Sequence, residues 1–378
     1  MMCEFVKILH ICAALLKNRH CIPQKLRYTI INVITKNAKK GRLKMAEKMR
    51  FGFLGMGKIA MSNHIPALKA LADQAEITAA YDPVPGKVQA QSAIAGISPK
   101  VCASEEELLA SDIDAVIIAT PNVFHYPQTI AALKAGKHVL VEKPMSFTTA
   151  QADEMIDLSL EKGLVLQVNQ SRRYNSLLHV IKKEIENGLI GDILHFRSQR
   201  TMTASPEKAW SPGAYWFIDP AYEGTLVGDI AVHMSDAMDW FCGRTASLSA
   251  VTRKRNRKVE DEVFAMFNYE NGAIGTMELS WNFPTGFRSD EIYGTKGSLR
   301  LVNDLAFEFI PAGSTVPAKI FVAPPAGTVA NSHQCFLEAI ATGSKTAWEF
   351  GRNAIALVEA IRLAGAEQQV KVPAYRNK

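Results

Sequence analysis

The sequence predicts an α/β chain: a doubly wound parallel sheet in the N-terminal half, then an α+β domain with a largely antiparallel open sheet. Three observations carry that prediction. From Arg50 to Val168 short apolar runs alternate with helical stretches, the pattern of a parallel sheet with crossover helices. A glycine-rich turn, Gly55-Met56-Gly57-Lys58-Ile59-Ala60, separates the first run from the first helical stretch. Beyond residue 170 the period becomes two, and Asn271-Gly272 joins two alternating runs, a strong hairpin signal.

Each element follows in order. Arg50–Leu54 reads as a strand, and Lys58–Leu71 as a helix with Pro66 as a local irregularity. Glu76–Tyr81 is the second strand, followed by a helix over Lys87–Ala95. Asp114–Ala119 is an apolar strand bounded by Thr120-Pro121-Asn122. Pro127–Ala135 is a helix closed by Gly136, the residue type that best tolerates a left-handed helix cap. Lys137–Val141 is a strand, Thr149–Lys162 a helix closed by Gly163, and Leu164–Val168 a strand. A polar helix spans Ser176–Asn187. Strands over Val263–Phe267 and Ala273–Trp281 flank the Asn-Gly turn, and another pair surrounds Gly294-Thr295-Lys296-Gly297. Pro311–Gly327 reads as a surface loop and Gly351–Gly365 as an amphipathic helix able to pack back on the first domain. The expected domains are 49–170 and 171–378, with 1–48 as an extension.

A chain of 378 residues is long for one core, which agrees with two domains. No apolar run reaches the roughly 18–20 residues of a membrane span. The net charge of +6 is concentrated at one end: residues 1–48 hold eleven Lys/Arg against two acids, and the remainder holds 32 against 35. The mildly acidic body offers nothing to a polyanion. The basic run Arg253–Lys258 is answered by Glu260-Asp261-Glu262 and has no interleaved aromatics, so it reads as a solvated loop and not a nucleic-acid patch. Cysteines 102, 242 and 335 are scattered without C-x-x-C spacing, which argues against a structural metal or disulfide framework and for a reducing, cytoplasmic setting. The extension fits a secretory signal poorly, because its apolar stretch is broken by Lys7 and His10 and followed by Lys17-Asn18-Arg19-His20. A transit peptide is one reading; translation beginning at Met45 or Met49 is the reading we expect.

Four features carry chemistry. Gly55-x-Gly57-x-x-Ala60, after a strand and opening a helix, is a dinucleotide fingerprint. The first glycine makes the turn, the second lets backbone approach a pyrophosphate, and the helix N-terminus faces the anion. Met56, Lys58 and Ile59 belong to the same loop. Asp82 ends the second strand. A carboxylate there binds a ribose diol and repels a 2′-phosphate, favouring NAD over NADP; nearby Lys87 blurs that preference, and a simple turn before Pro83 is the bland alternative. Thr120, Pro121, Asn122 and His125 lie at the expected cofactor edge, although packing alone accounts for His125. His64 and His138 read as core residues without a role. Glu142-Lys143-Pro144 ends a buried strand, where open α/β sheets bind ligands. Asp229 and His233, spaced i, i+4, share one helix face with Asp236 beside them; a histidine there suits proton transfer.

In this order the motifs resemble the Gfo/Idh/MocA oxidoreductases, the group of glucose–fructose oxidoreductase and inositol dehydrogenase. The matching residues also include Arg173-Tyr174 and Gly294-Thr295-Lys296-Gly297. The resemblance implies a Rossmann domain, a second domain with an open antiparallel sheet, and a homodimer or homotetramer formed through that sheet. It implies hydride transfer between a sugar, cyclitol or related polyol and nicotinamide, with NAD as cofactor and NADP possible. His233 would accept the hydroxyl proton. Asp229 would bind a neighbouring hydroxyl or orient His233, and Lys143 would hydrogen-bond the reacting oxygen. Arg173, Tyr215 and Trp216 are weaker substrate-pocket candidates. The chain departs from the family pattern at Glu223-Gly224-Thr225, where a glycine triplet is common, and at Ala231, where a glycine is common. Two other readings are a non-catalytic dinucleotide sensor on this fold and an NADPH-dependent imine or enone reductase. Retention of Lys143, Asp229 and His233 speaks against the first, and Asp82 against the second.

Overall fold

The computed structural model describes residues 47–325 and 327–367. The basic segment expected over 1–48 lies outside the described residues except for its last two. The first sheet has six parallel strands in the order β3-β2-β1-β4-β5-β6. They are β1 (Met49–Leu54), β2 (Ala75–Tyr81), β3 (Lys100–Val101), β4 (Ala115–Ile118), β5 (His138–Glu142) and β6 (Leu166–Asn169). Strand order reverses between β1 and β4, and this switch point is where such sheets open a ligand crevice at their C-terminal ends. All four residues of β4 are buried, as helices on both faces of a parallel sheet require.

The helices of this half are α1 (Ile65–Lys69), α2 (Lys87–Ala95), α3 (Glu105–Ala110), α4 (His125–Lys134) and α5 (Thr149–Lys162). Pro66 sits in the first turn of α1, where its missing N–H costs nothing. A π-helical turn, Ala60–His64, precedes it. Thr148 Oγ1 caps α5 by accepting from the Gln151 backbone N–H, and Gly163 ends it in the left-handed region. Strand β3 and helix α3 were not foreseen; both are short, and their amphipathic pattern is too brief to register.

The second sheet has eight strands in the order β14-β13-β12-β11-β7-β10-β9-β8. They are β7 (Ile193–Thr201), β8 (Thr245–Arg253), β9 (Glu262–Tyr269), β10 (Ile274–Ser280), β11 (Phe287–Gly294), β12 (Gly297–Asn303), β13 (Ala306–Pro311) and β14 (Lys319–Val322). Only β7 and β10 pair in parallel. The Asn271-Gly272 turn joins β9 to β10, and Gly294 pairs with Gly297 where β11 turns into β12. The stretch expected as a loop over Pro311–Gly327 contains β14. It is an edge strand whose Ile320 and Val322 are exposed, and flanking prolines mask such short edges in a sequence.

One face of this sheet is covered by α6 (Ser176–Glu186), α7 (Val232–Cys242) and α9 (Glu349–Glu367), whose Ile181, Met238, Phe241, Val358 and Ile361 meet Phe196, Phe267, Met277 and Ile292. The last two helices also return to the first sheet. On α8 (Ser332–Thr342), Phe336 packs against Phe51 of β1. On α9, Arg352 pairs with Asp153 and Glu359 accepts from Thr149. Gly351 of α9 lies so close to β6 that a Cβ there would sit 2.6 Å from the Val168 Cβ. Gly351→Val is therefore expected to lower stability by about 1–3 kcal/mol through overpacking, read as a shift of the denaturant midpoint at unchanged slope. Among the described residues no helix is long and apolar enough to cross a membrane.

Candidate active site

The site grows from the ends of β1, β2 and β5. Gly55, after β1, has φ +90°, and a Cβ there would lie 2.7 Å from the Ala119 carbonyl oxygen. Only glycine fits both constraints. At Gly57 an added Cβ would meet no atom within 4 Å, so this part of the loop presents bare backbone to the crevice. Asp82 Oδ2 accepts from the Met56 backbone N–H at 2.9 Å and from Lys87 Nζ at 2.9 Å, and Oδ1 accepts from the Val84 N–H. Asp82 thus shapes its own turn, and its side chain, 4% exposed, is held behind Met56 and Lys87. Lys87 beside it offsets part of its negative charge.

A cavity of about 570 Å³ lies over this loop. Met56, Gly57, Lys58, Lys87 and Gln91 form one wall; Ser211–Ala214 and Trp216, from the other half of the chain, form the opposite wall. The residues fit a dinucleotide: bare loop backbone at Gly57 and two lysines, Lys58 and Lys87, for phosphate. Trp216 therefore stands on the loop side of the crevice, and Tyr215 is 67% exposed. Neither lines the cavity that holds the reactive groups.

That second cavity, about 260 Å³, is lined by Ile59, Asn63, Glu142, Lys143, Asn169, Ser171, Trp210, Asp229, Ile230 and His233. Lys143 follows β5, and its bond to Pro144 is cis. Its Nζ donates to Asp229 Oδ1 at 2.8 Å and to the Asp229 carbonyl at 3.0 Å. A π-helical turn, Val227–Ala231, carries Asp229 and leads into α7, which carries His233. Such widened turns recur at functional sites because they re-aim side chains. The expectation that Asp229 orients His233 is not met: the bonded oxygen of Asp229 goes to Lys143. Asp229 Oδ2 and His233 Nδ1 are buried and have no hydrogen-bond partner among the described residues. Buried polar atoms are rarely left so, and both residues line the cavity. Burial, then the charges of Lys143 and Arg172, push the His233 imidazole well below its ordinary range. It is therefore neutral and able to accept a proton.

Behind Lys143 runs a buried chain that the sequence did not reveal. Glu142 Oε1 accepts from His64 Nε2 at 2.9 Å and Asn169 Nδ2 at 2.6 Å. His64 Nδ1 faces His333 Nε2 at 2.8 Å. His64 is thus a core residue, as expected, but one that anchors Glu142. Burial works to raise the Glu142 carboxyl; the hydrogen bonds from His64 and Asn169 and the nearby positive charges outweigh it and hold it at about 2. Its ordinary value is 4.5, so its contribution is complete above pH 4.5 and is lost as pH falls toward 2. By linkage that is about 3 kcal/mol. Wild-type stability is expected to fall over this window by more than that of Glu142→Gln, measured as denaturant midpoint against pH; parallel curves would contradict it.

The remaining expected residues take other places. His125 stands between two carbonyl oxygens, Nδ1 2.7 Å from that of Pro144 and Nε2 2.9 Å from that of Thr120, and its neutral ring donates to one of them. Thr120 bonds Gln128, and Asn122 is buried; with Pro121 they frame the turn after β4 and line none of these cavities. Arg173 is committed to Asp236, with Nε to Oδ2 at 2.9 Å and NH2 to Oδ1 at 2.8 Å, and it packs on Trp240 and Phe350. It does not line the pocket; its neighbour Arg172 does. Glu223 adopts φ 51°, the left-handed conformation a glycine holds more easily, and a Cβ on Gly224 would reach within 2.5 Å of the Phe217 carbonyl carbon. The departure from a glycine triplet is thus accommodated at Glu223 as backbone strain.

Fold and site define a class of protein: a dinucleotide-binding sheet whose β5 lysine meets a carboxylate and an imidazole from a second, antiparallel half. The description "Oxidoreductase family, NAD-binding Rossmann fold" matches residues 49–170, and the GFO/IDH/MocA C-terminal domain matches residues 178–300. The chain belongs to the GFO/IDH/MocA oxidoreductase family. It is similar to an uncharacterised oxidoreductase of Schizosaccharomyces pombe, with 40% identity over 38% of this chain and 40% of the relative. It is also similar to levoglucosan dehydrogenase of Pseudarthrobacter phenanthrenivorans, with 32% identity over 50% of this chain and 55% of the relative. The matched stretches thus span about half the length of these relatives. An oxidoreductase structure from Thermotoga maritima superposes with TM-score 0.75 at 27% identity, covering 84% of this chain and 97% of that one.

Proposed function

We propose that this protein is an NAD-dependent dehydrogenase that oxidises a secondary hydroxyl of a sugar, cyclitol or related polyol. The observation that carries the reading is the convergence of Lys143, Asp229 and His233 on one cavity, with two buried polar atoms awaiting partners. The similar levoglucosan dehydrogenase is a sugar dehydrogenase by name. Gly55, Met56, Gly57, Lys58, Ile59 and Asp82 would hold the dinucleotide, which supplies the hydride acceptor; its redox chemistry is its own. Lys143 donates a hydrogen bond to the reacting oxygen and stabilises its developing negative charge. Asp229 fixes the Lys143 ammonium through one oxygen and offers the other to a neighbouring hydroxyl. His233 takes the hydroxyl proton in its neutral form. The test is nicotinamide reduction across a panel of sugars and cyclitols with NAD and NADP. Reduction of NAD by at least one neutral or acidic member is expected; binding of nucleotide with no turnover by any member would favour a sensor.

The open face of the second sheet is also part of this reading. Phe264, Met266, Ile274, Tyr293 and Ile320 are exposed on it, and apolar side chains gathered on one face mark an interaction surface. A homodimer or homotetramer through this face is expected, and Met266→Lys with Phe264→Lys should shift the light-scattering mass toward the monomer. A wild-type monomer at micromolar concentration would contradict it.

A further inference from the structure

We infer that the substrate carries an anionic group, a carboxylate or a phosphate, which Arg172 and Arg288 receive in the pocket beyond His233. The inference rests on the dehydrogenase reading and names its substrate class. A third cavity of about 430 Å³ shares Ser171, Ile230 and His233 with the one that holds Lys143. A molecule with its hydroxyl at His233 therefore extends into it. Its lining includes Arg172, Arg200 and Arg288 and no carboxylate.

The charges there do not balance. Asp290, 2% exposed, sits behind the wall and is shared. Its Oδ2 accepts from Arg172 NH2 at 2.9 Å and from Arg200 NH2, and its Oδ1 accepts from Ser198 Oγ at 2.8 Å. Two guanidinium groups on one buried carboxylate leave one positive charge. Arg200 spends its NH1 on the Gln199 and Ser289 carbonyls and is anchored through both terminal nitrogens. Arg172 differs: its Nε is buried without a partner. A buried donor left without a partner is costly, the more so on a charged group.

Arg288 brings a third guanidinium to the same wall. In the β7/β11 register it stands directly opposite Arg200, and like charges so placed repel. Its own partner, Asp304, is 66% exposed at the rim. An exposed pair of this kind is worth about 0–1 kcal/mol, so Arg288 can turn to a ligand at little cost. Burial, first, and the neighbouring arginines bring the Arg200 guanidinium down to about 10, against the opposing pull of Asp290. Guanidinium groups match the two oxygens of a carboxylate or phosphate in paired hydrogen bonds.

The experiment compares glucose and inositol with glucuronate, gluconate and glucose 6-phosphate, as kcat/KM with NAD and as direct titration into the NADH-bound protein. The anionic members are expected to exceed their neutral counterparts by at least about tenfold, in line with about 1.5–3 kcal/mol for a hydrogen bond to a charged group. The carboxylate and phosphate arms decide between the two anions. In Arg172→Met and in the rim variant Arg288→Met that preference is expected to collapse toward one. Neutral members turned over or bound as well as the anionic ones would overturn the inference, as would a preference unchanged in both variants. No turnover with any member would count against the dehydrogenase reading, and the titrations would still decide whether the pocket binds anions.

Discussion

Lys143→Met is expected to lower kcat/KM by about 10²–10³, the loss found when one donor to a developing oxyanion is removed. The change should fall on kcat, because Lys143 borders the 260 Å³ cavity and not the loop cavity over Gly55–Lys58. Nucleotide affinity, read by fluorescence titration of NADH, should change little. The lysine is held by a buried carboxylate through a 2.8 Å bond, so methionine of similar length leaves Asp229 buried without its cation. A modest loss of stability is expected as well, and for that reason the kinetics are to be read on protein shown to be folded. A variant that kept near wild-type kcat would remove Lys143 from the reaction.

His233→Asn is the second large effect. Loss of a general base costs roughly 10²–10⁴ in rate, and asparagine retains polarity at the cavity wall without accepting the proton at neutral pH. The wild-type pH profile gives an independent reading of the same residue. Burial and the charges of Lys143 and Arg172 depress its pKa well below 6.5. The proton-accepting form therefore persists as pH falls through 6.5, and the acid limb of kcat/KM for oxidation should lie well below that value. An inflection at or above 6.5 would contradict a neutral His233 as the base.

What could be read from the sequence was what is local in it. The Gly55–Ala60 turn is one hexapeptide whose backbone demands show in its own residues, and Gly55 at φ +90° meets them. Lys143 was legible because it ends an apolar strand, and Asp229 with His233 because four residues separate them. Their mutual geometry was not legible. The π-helical turn at Val227–Ala231 sends the Asp229 carboxylate to Lys143 and leaves His233 facing the cavity, and no residue pattern announces that turn.

The arginine pocket lay further out of reach. Arg172, Arg200 and Arg288 come from a short turn, β7 and β11, and they meet only because the β7/β11 register sets Arg288 against Arg200. In Arg172-Arg173 the sequence pointed to the second residue, yet one step along a helical turn sends Arg173 to Asp236 and Arg172 to the pocket. The same holds for His64, whose partners Glu142 and His333 are distant in sequence. Long-range pairing of this kind is fixed by packing of the two halves, which local periodicity does not encode.

The central claim is that the Lys143–Asp229–His233 cavity is where a substrate hydroxyl is oxidised beside a bound nicotinamide. A substrate deuterated at the carbinol carbon, turned over with NAD, tests it most directly. The account predicts that wild-type protein moves the deuterium onto nicotinamide C4 of the product NADH, and that His233→Asn slows this transfer by two orders of magnitude or more. Deuterium retained on the sugar product, or released to water, would contradict it.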